Sequence, residues 1–151
     1  MWRGWRRIAK FEVEGLFDFN DLINAGSIPN DVMNKMLHAA ADVAVEAQKR
    51  TAGSMLNKGY STGELARSIG KGRIKRTKDG KSISIIFKGS RVRGKRKFHT
   101  TSNAEIAFLN EFGKRGQPGR LFIQTANEQC ADAAVEAAAK IYDKWLDSMG
   151  F

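Results

Sequence analysis

The chain has 151 residues and a hydrophobic content of 42%, which suit one domain with a buried core and exclude wholesale disorder. Its apolar runs are only a few residues long, which excludes a membrane-spanning helix, and the basic N-terminus has no apolar stretch behind it, so we expect no signal peptide. The single cysteine, Cys130, excludes an internal disulfide and a multi-cysteine metal site, and favours a reducing cytoplasm during synthesis and assembly.

The net charge of +10 comes from one segment of the chain. Between Lys71 and Lys97 there are twelve Lys/Arg residues and one acid, Asp79, whereas the rest of the chain carries fourteen bases and fifteen acids. This distribution predicts a local basic surface on a nearly neutral body.

The N-terminal third predicts a strand, an apolar segment and a long helix. Ile8–Glu14 alternates with the period of a strand, and Leu16–Ile23 is a crowded apolar segment that we expect to be helical. Apolar residues then recur every three or four positions over Pro29–Ala52, which predicts a helix that ends at Gly53.

The middle of the chain predicts a hairpin followed by a long basic excursion. Arg73–Phe87 has the pattern of two strands, with Asp79-Gly80 at a type I′ turn and a basic first strand at a sheet edge. Lys88–Asn103 has no core periodicity and predicts a long mobile loop or a hairpin extension.

The C-terminal part predicts two more helices. Ala104–Phe112 is a short helix stopped by Gly113, Lys114–Arg120 is a basic loop, and Leu121–Ile123 returns to the core. The last helix has an apolar stripe at helical spacing and ends near Gly150. The stripe comprises Cys130, Ala134, Ala137, Ala138, Ile141, Trp145 and Met149.

Two segments have the spacing of a capping box, in which a hydroxyl residue is followed three positions later by glutamate. Ser61 with Glu64 precedes a short turn, and Thr125 with Glu128 is predicted to open the final helix.

No catalytic motif is present in the sequence. The only histidines are His38 and His99, and there is no nucleotide loop, nucleophile elbow or metal-binding spacing. Glu111 lies among apolar residues, and we expect it to accept backbone N–H groups or to pair with Arg120 rather than to act as an acid or base. We therefore predict no enzyme, no cofactor and no metal, and a packed thiol at Cys130.

The basic excursion is the candidate contact surface. Its Lys/Arg residues could bind phosphates by counterion release, but aromatic residues are too sparse for base stacking. Contact with nucleic acid would then be independent of sequence, and a solvated or partner-facing loop is an equal alternative. The candidate residues are Arg91, Arg93, Lys95, Arg96 and Lys97.

Three features in order along the chain carry a resemblance to a known family. An amphipathic helix is followed by a Thr-Gly-x-Leu-x-x-Ser-Ile signature, an apolar run ends in Glu-Phe-Gly, and a basic Pro-containing loop leads through Phe122-Ile123 into an alanine-rich helix. The signature residues are Thr62, Gly63, Leu65, Ser68 and Ile69, and the Glu-Phe-Gly motif is Glu111, Phe112 and Gly113. In these features the chain resembles the tailed-bacteriophage neck proteins, the head–tail joining or tail-completion family.

The resemblance implies a single α+β domain over residues 1–151, with a mostly antiparallel sheet of about four strands covered by two long helices. It also implies a non-catalytic virion subunit, assembled in the host cytoplasm, that forms a homo-oligomeric ring between portal and tail and lets DNA pass. Its partners would be adjacent neck, portal and tail proteins, with no membrane, and the basic loop would face DNA or an acidic surface of a neighbouring ring.

Two other functions remain open at this stage. One is a small, sequence-nonspecific nucleic-acid-binding protein acting through Lys71–Lys97. The other is a metal-dependent nuclease using Glu111.

Overall fold

The computed structural model describes residues 28–56, 63–78, 80–92 and 100–150. Within them the fold is α+β, as predicted, with four helices and three antiparallel pairs of strands. The helices are α1 (Asn30–Met55), α2 (Glu64–Ser68), α3 (Asn103–Phe112) and α4 (Phe122–Ser148). The strands are β1 (Ile69–Thr77), β2 (Gly80–Phe87), β3 (Ser90–Val92), β4 (Thr100–Ser102), β5 (Gly113–Lys114) and β6 (Gln117–Pro118).

The pairs β1–β2, β3–β4 and β5–β6 are separate two-stranded sheets in this part of the chain, where one sheet of about four strands was expected. The predicted strand at Ile8–Glu14 and the apolar segment at Leu16–Ile23 lie outside the described residues.

Helix α1 is the central element. It begins after Pro29, as predicted, but the predicted stop at Gly53 is wrong because the helix continues to Met55. Glycine in an exposed helical position costs only about 1 kcal/mol relative to alanine. That cost is offset by the burial of Leu56, whose backbone N–H also closes the last turn on the carbonyl oxygen of Ala52.

Helix α4 packs antiparallel on one side of α1. Near the start of α1, Met36 and Ala40 lie in one apolar cluster with Ala134 and Ala138, whereas Gln48 near its end donates a hydrogen bond to Asn127 at 3.1 Å. The small side chains at this contact allow the two helices to approach closely. The predicted stripe is confirmed at Cys130, Ala134 and Ala138, while Met149 lies beyond the helix and is exposed.

The β1–β2 hairpin packs against a different side of α1. Lys81 of β2 donates a hydrogen bond to Asn34, and Lys71 of β1 forms an ion pair with Asp42 at 2.6 Å. The buried face of β2 is the predicted one, with Ile83, Ile85 and Phe87. Helix α1 therefore packs against both the hairpin and α4, and the end of β2 also reaches α4, where the rings of Phe87 and Phe122 meet edge to face with centroids 6.2 Å apart.

The turn of this hairpin differs from the prediction. Gly80 pairs with Thr77 and has a φ of 144°, so it is the first residue of β2 rather than a central residue of a type I′ turn. Lys78 is a turn residue, and Asp79 lies outside the described residues. The Asp-Gly pair therefore predicted the hairpin correctly but placed its turn one position too late in the chain.

The basic excursion is a hairpin extension. Ser90–Val92 pairs with Thr100–Ser102, which confirms that alternative for its base, and residues 93–99 lie outside the described part. The predicted loop at Lys114–Arg120 contains a second small hairpin, β5–β6.

Candidate interaction surfaces

The Glu111 side chain joins the end of α3 to the beginning of α4. Its two carboxylate oxygens accept hydrogen bonds from the backbone N–H groups of Ile123 at 2.7 Å and Gln124 at 3.0 Å. The first N–H groups of a helix lack partners within the helix, and a carboxylate also favours the positive end of the helix dipole. The predicted structural role of Glu111, accepting backbone N–H groups, is confirmed.

The capping box predicted at Thr125 and Glu128 is wrong, because Glu111 caps the helix instead. Helix α4 begins three residues before Thr125, and its N-cap residue Leu121 has no side-chain cap. The Thr125 hydroxyl instead donates to the carbonyl oxygen of Leu121, and Glu128 accepts from the side chain of Gln124. A capping box is a local pattern, whereas the cap observed comes from a residue 12 positions away from Ile123.

Two glycines allow this turn to close. Gly113 has a φ of 84°, and a Cβ atom there would lie 2.5 Å from the carbonyl oxygen of Gln117. A Cβ atom on Gly119 would overlap the carbonyl group of Glu111. Backbone hydrogen bonds from Arg120 to Asn110 and from Leu121 to Glu111 complete the junction.

An exposed apolar patch lies on the same turn. Phe112 is 59% exposed although its ring contacts that of Phe108, with the centroids 4.9 Å apart and the ring planes tilted by 51°, and Leu121 is 44% exposed. Leu121 is also the only described non-glycine residue with a positive φ, 48°. Basic residues Lys114 and Arg115 are exposed beside the patch, so a protein surface is a suitable partner.

The signature residues form the passage from α2 into β1. Gly63 is the N-cap of α2 with a φ of 70°, so the capping box predicted for Ser61 and Glu64 is wrong. Leu65 and Ile69 are buried, and the Ser68 hydroxyl donates to the carbonyl oxygen of Leu65. Thr62 lies outside the described residues.

Among the predicted contact residues, Arg91 is bound within the molecule. Its Nε atom lies 3.2 Å from a carboxylate oxygen of Glu64 and donates a hydrogen bond to Asn103 at 3.0 Å. Asn103 is buried and also donates to the carbonyl oxygen of Lys88. The other four predicted residues, Arg93, Lys95, Arg96 and Lys97, lie outside the described part.

A cluster of exposed basic residues lies on strand β1 and the loop after it. Its members have no ion-pair partner in the described part of the chain, whereas Lys71 and Lys81 are engaged by α1. They are Arg73, Lys75, Arg76 and Lys78. These four residues contribute to the excess charge of the basic segment but were not among the predicted contact residues. A strand pattern alone does not indicate which lysines form an ion pair or a hydrogen bond with α1.

No group of three or more His, Cys, Asp or Glu residues in the described ranges is arranged to hold a metal ion. Cys130 is buried, and its burial raises the pKa of the thiol, an effect partly offset by hydrogen bonding with its own backbone and by the charge of Arg50. None of the helices in these ranges is long and apolar enough to cross a membrane.

Comparison with known proteins identifies one family. Residues 25–113, more than half of the chain, match the HK97-gp10-like family model, which is described as "Bacteriophage HK97-gp10, putative tail-component". The matched region contains α1, the signature, both hairpins of the basic segment and the Glu111 motif. No curated protein and no solved structure matches the chain significantly.

Proposed function

The chain belongs to the HK97-gp10-like family of bacteriophage tail components, and from this premise we propose that it is a neck or tail-completion adaptor of the head–tail junction. In this role its copies form a ring that joins the portal to the tail and leaves a passage for DNA. The family match carries the proposal, because it extends over the central helix, the basic hairpin and the Glu111-Phe112-Gly113 motif.

The placement of the polar residues supports a structural role. The buried carboxylate Glu111 is occupied by two backbone N–H groups, and the buried Cys130 thiol has a raised pKa that disfavours the nucleophilic thiolate. Four exposed basic residues, Arg73, Lys75, Arg76 and Lys78, instead lie on the β1–β2 hairpin. A rigid body with separate contact surfaces suits an adaptor that acts by binding.

The basic extension is proposed to contact DNA in the lumen of the ring. Arg91 fixes the base of the extension to Glu64 and Asn103, and this leaves Arg93, Lys95, Arg96 and Lys97 to meet phosphates. Contacts of this kind would be nonspecific, which suits a conduit that carries a whole genome. The exposed Phe112 patch is proposed to meet the adjacent neck, portal or tail protein.

Cryo-electron microscopy of the assembled virion tests the proposal. Density for this chain is expected as a closed ring between portal and tail, and particles lacking the protein should show unjoined heads and tails. Normal particles that lack the chain at the junction would refute the role.

A second function, nonspecific nucleic-acid binding in solution, is favoured by the four exposed basic residues of β1 and its loop. Titration of duplex DNA against salt tests it, because binding through ~6 phosphate contacts gives a log–log slope of about −5. Absence of binding at low salt would eliminate this function and leave the structural role intact.

A further inference from the structure

The outer face of α4 is acidic along its first half. Glu128, Asp132 and Glu136 are exposed and follow the buried residues Ala126, Cys130 and Ala134 by two positions each. Two residues correspond to about 200° around a helix, so the three acids point away from α1. The sequence from Leu121 to Ala139 contains no lysine or arginine. Within the described part of the chain, Glu136 is the one of these three acids with an ion pair, to Lys140 at 3.1 Å.

The basic hairpin lies on another side of α1 and has the opposite charge. Arg73, Lys75, Arg76 and Lys78 are exposed there without ion-pair partners among the described residues. One subunit therefore presents a basic hairpin and an acidic helix face, and no ion pair joins these two surfaces among the described residues. Surfaces of opposite charge are complementary between two copies.

We propose that the basic β1–β2 hairpin of one copy docks on the acidic outer face of α4 of the next copy. This contact joins two different surfaces, so it is head-to-tail, and repeated contacts of this type close into a ring when the rotation permits. The inference rests on the proposed ring and identifies the surfaces that build it.

The outer face of the hairpin favours a protein over nucleic acid as its occupant. Ile86 is 37% exposed on this face, and Gly72 lies beside it in a β-bulge between Lys71 and Ile74. Ser82 and Ser84 continue the same face with small side chains. A helix can approach such a surface and bury Ile86, whereas a phosphate backbone would make no use of an exposed isoleucine.

Charge reversal on the full-length chain tests the contact. In the acidic-face variant, Glu128, Asp132 and Glu136 become lysine, whose helix propensity is similar to that of glutamate and higher than that of aspartate. In the hairpin variant, Arg73, Lys75 and Arg76 become glutamate. Sedimentation velocity and native mass spectrometry at low salt, about 0.05 M, then report assembly while charges are weakly screened.

Each variant alone is expected to self-associate at least about tenfold more weakly than the wild type, because like charges then meet at the contact. An equimolar mixture of the two variants should assemble again, since each reversed face finds an oppositely charged face on the other variant. The recovered assemblies should contain the two variants in alternation and therefore in equal numbers.

Matched controls use the same number of reversals elsewhere on the surface. Asp31→Lys, Glu46→Lys and Glu105→Lys are combined as the control for the acidic face, and Lys35→Glu, Arg50→Glu and Lys144→Glu as the control for the hairpin. Circular dichroism verifies that every variant is folded. The control variants should assemble like the wild type.

Three outcomes would overturn the inference. They are a wild type that stays monomeric at low salt, a variant mixture that does not assemble, and a hairpin variant that loses DNA binding but keeps its oligomeric state. In the last case the hairpin would be a nucleic-acid surface. The proposed adaptor role is judged separately by the position of the chain in the virion, so either can fail without the other.

Discussion

The carboxylate of Glu111 accepts a hydrogen bond from the backbone N–H of Ile123 at 2.7 Å, so the last turn of α3 caps the first turn of α4. The second carboxylate oxygen accepts the N–H of Gln124. This pair of bonds fixes the direction in which the longest helix leaves the Glu-Phe-Gly turn. The orientation of the acidic α4 face therefore depends on one buried side chain.

Replacement of Glu111 by alanine is expected to lower the free energy of unfolding by about 1–3 kcal/mol, because two N–H groups lose their acceptors. Glutamine should cost less, since it retains one acceptor oxygen. Urea denaturation measures both effects, and Glu46→Ala, at an exposed position in the interior of α1, is the control that should stay near wild type. Equal stability of all three variants would show that the cap contributes nothing.

Replacement of Gly119 by alanine should be more disruptive than replacement of Gly116 in the same turn. The added methyl group at Gly119 would overlap the backbone of Glu111 and Phe112, and relieving such overpacking costs about 1–3 kcal/mol or more. Gly116 has a φ of 78° but open space around it, so only the conformational cost of about 1–2 kcal/mol applies.

The same denaturation experiment compares these two variants with Gly113→Ala. Gly113 combines a positive φ with a Cβ position 2.5 Å from Gln117, so its variant should be the least stable of the three. If the Gly116 variant were instead the least stable, the close packing of this turn would be refuted.

Periodicity in the sequence was sufficient to predict α1, α3, α4 and the β1–β2 hairpin, because each is a local pattern of apolar residues. The cap of α4 was mispredicted because Glu111 is brought to the start of the helix by the fold of the intervening turn. The spacing of nearby residues in the sequence does not indicate such a contact. The end of α1 was misplaced because burial of Leu56 offsets the local preference of Gly53. The charged residues could be identified in the sequence. Which of them share one face of the molecule could not be predicted, because it depends on how α4 is rotated about its axis relative to α1.

Replacement of Gly53 by alanine is expected to stabilise the protein by roughly 0.5–1 kcal/mol. Gly53 lies inside α1, and a Cβ atom there would meet nothing within 4 Å, so the change removes backbone entropy from the unfolded chain at no steric cost. Thermal unfolding should show a higher midpoint. Gly150→Ala, at a φ of 86°, is the contrasting substitution and should not stabilise.

Cys130 should react slowly with iodoacetamide in the native protein and rapidly after unfolding. Burial raises the pKa of its thiol, so the folded state holds the proton to higher pH than the unfolded state does. Below the unfolded pKa of roughly 8.5 both states are protonated and stability is unaffected. As the pH rises above that value, the unfolded thiol ionises first and stability should fall.

Denaturation at several alkaline pH values tests this, with Cys130→Ala as the reference. The stability difference between the wild type and this variant should shrink as the pH rises above about 8.5. A difference that is constant with pH, or rapid native alkylation, would contradict a buried, protonated thiol.

Arg91 is expected to act mainly as a brace for the basic extension. Its guanidinium is one-quarter exposed and meets Glu64 at 3.2 Å, so a double-mutant cycle of Arg91→Ala with Glu64→Ala should give a coupling energy of about 0.5–1 kcal/mol. Because Asn103 links Arg91 to the Lys88 carbonyl, the amide protons of β3 and β4 should also exchange faster in the Arg91 variant.

Lys97→Ala is the matched control from the same extension, and it should change DNA affinity in a salt-dependent way without changing stability. If Arg91→Ala behaved like Lys97→Ala in both measurements, Arg91 would be a phosphate contact and the brace would be refuted.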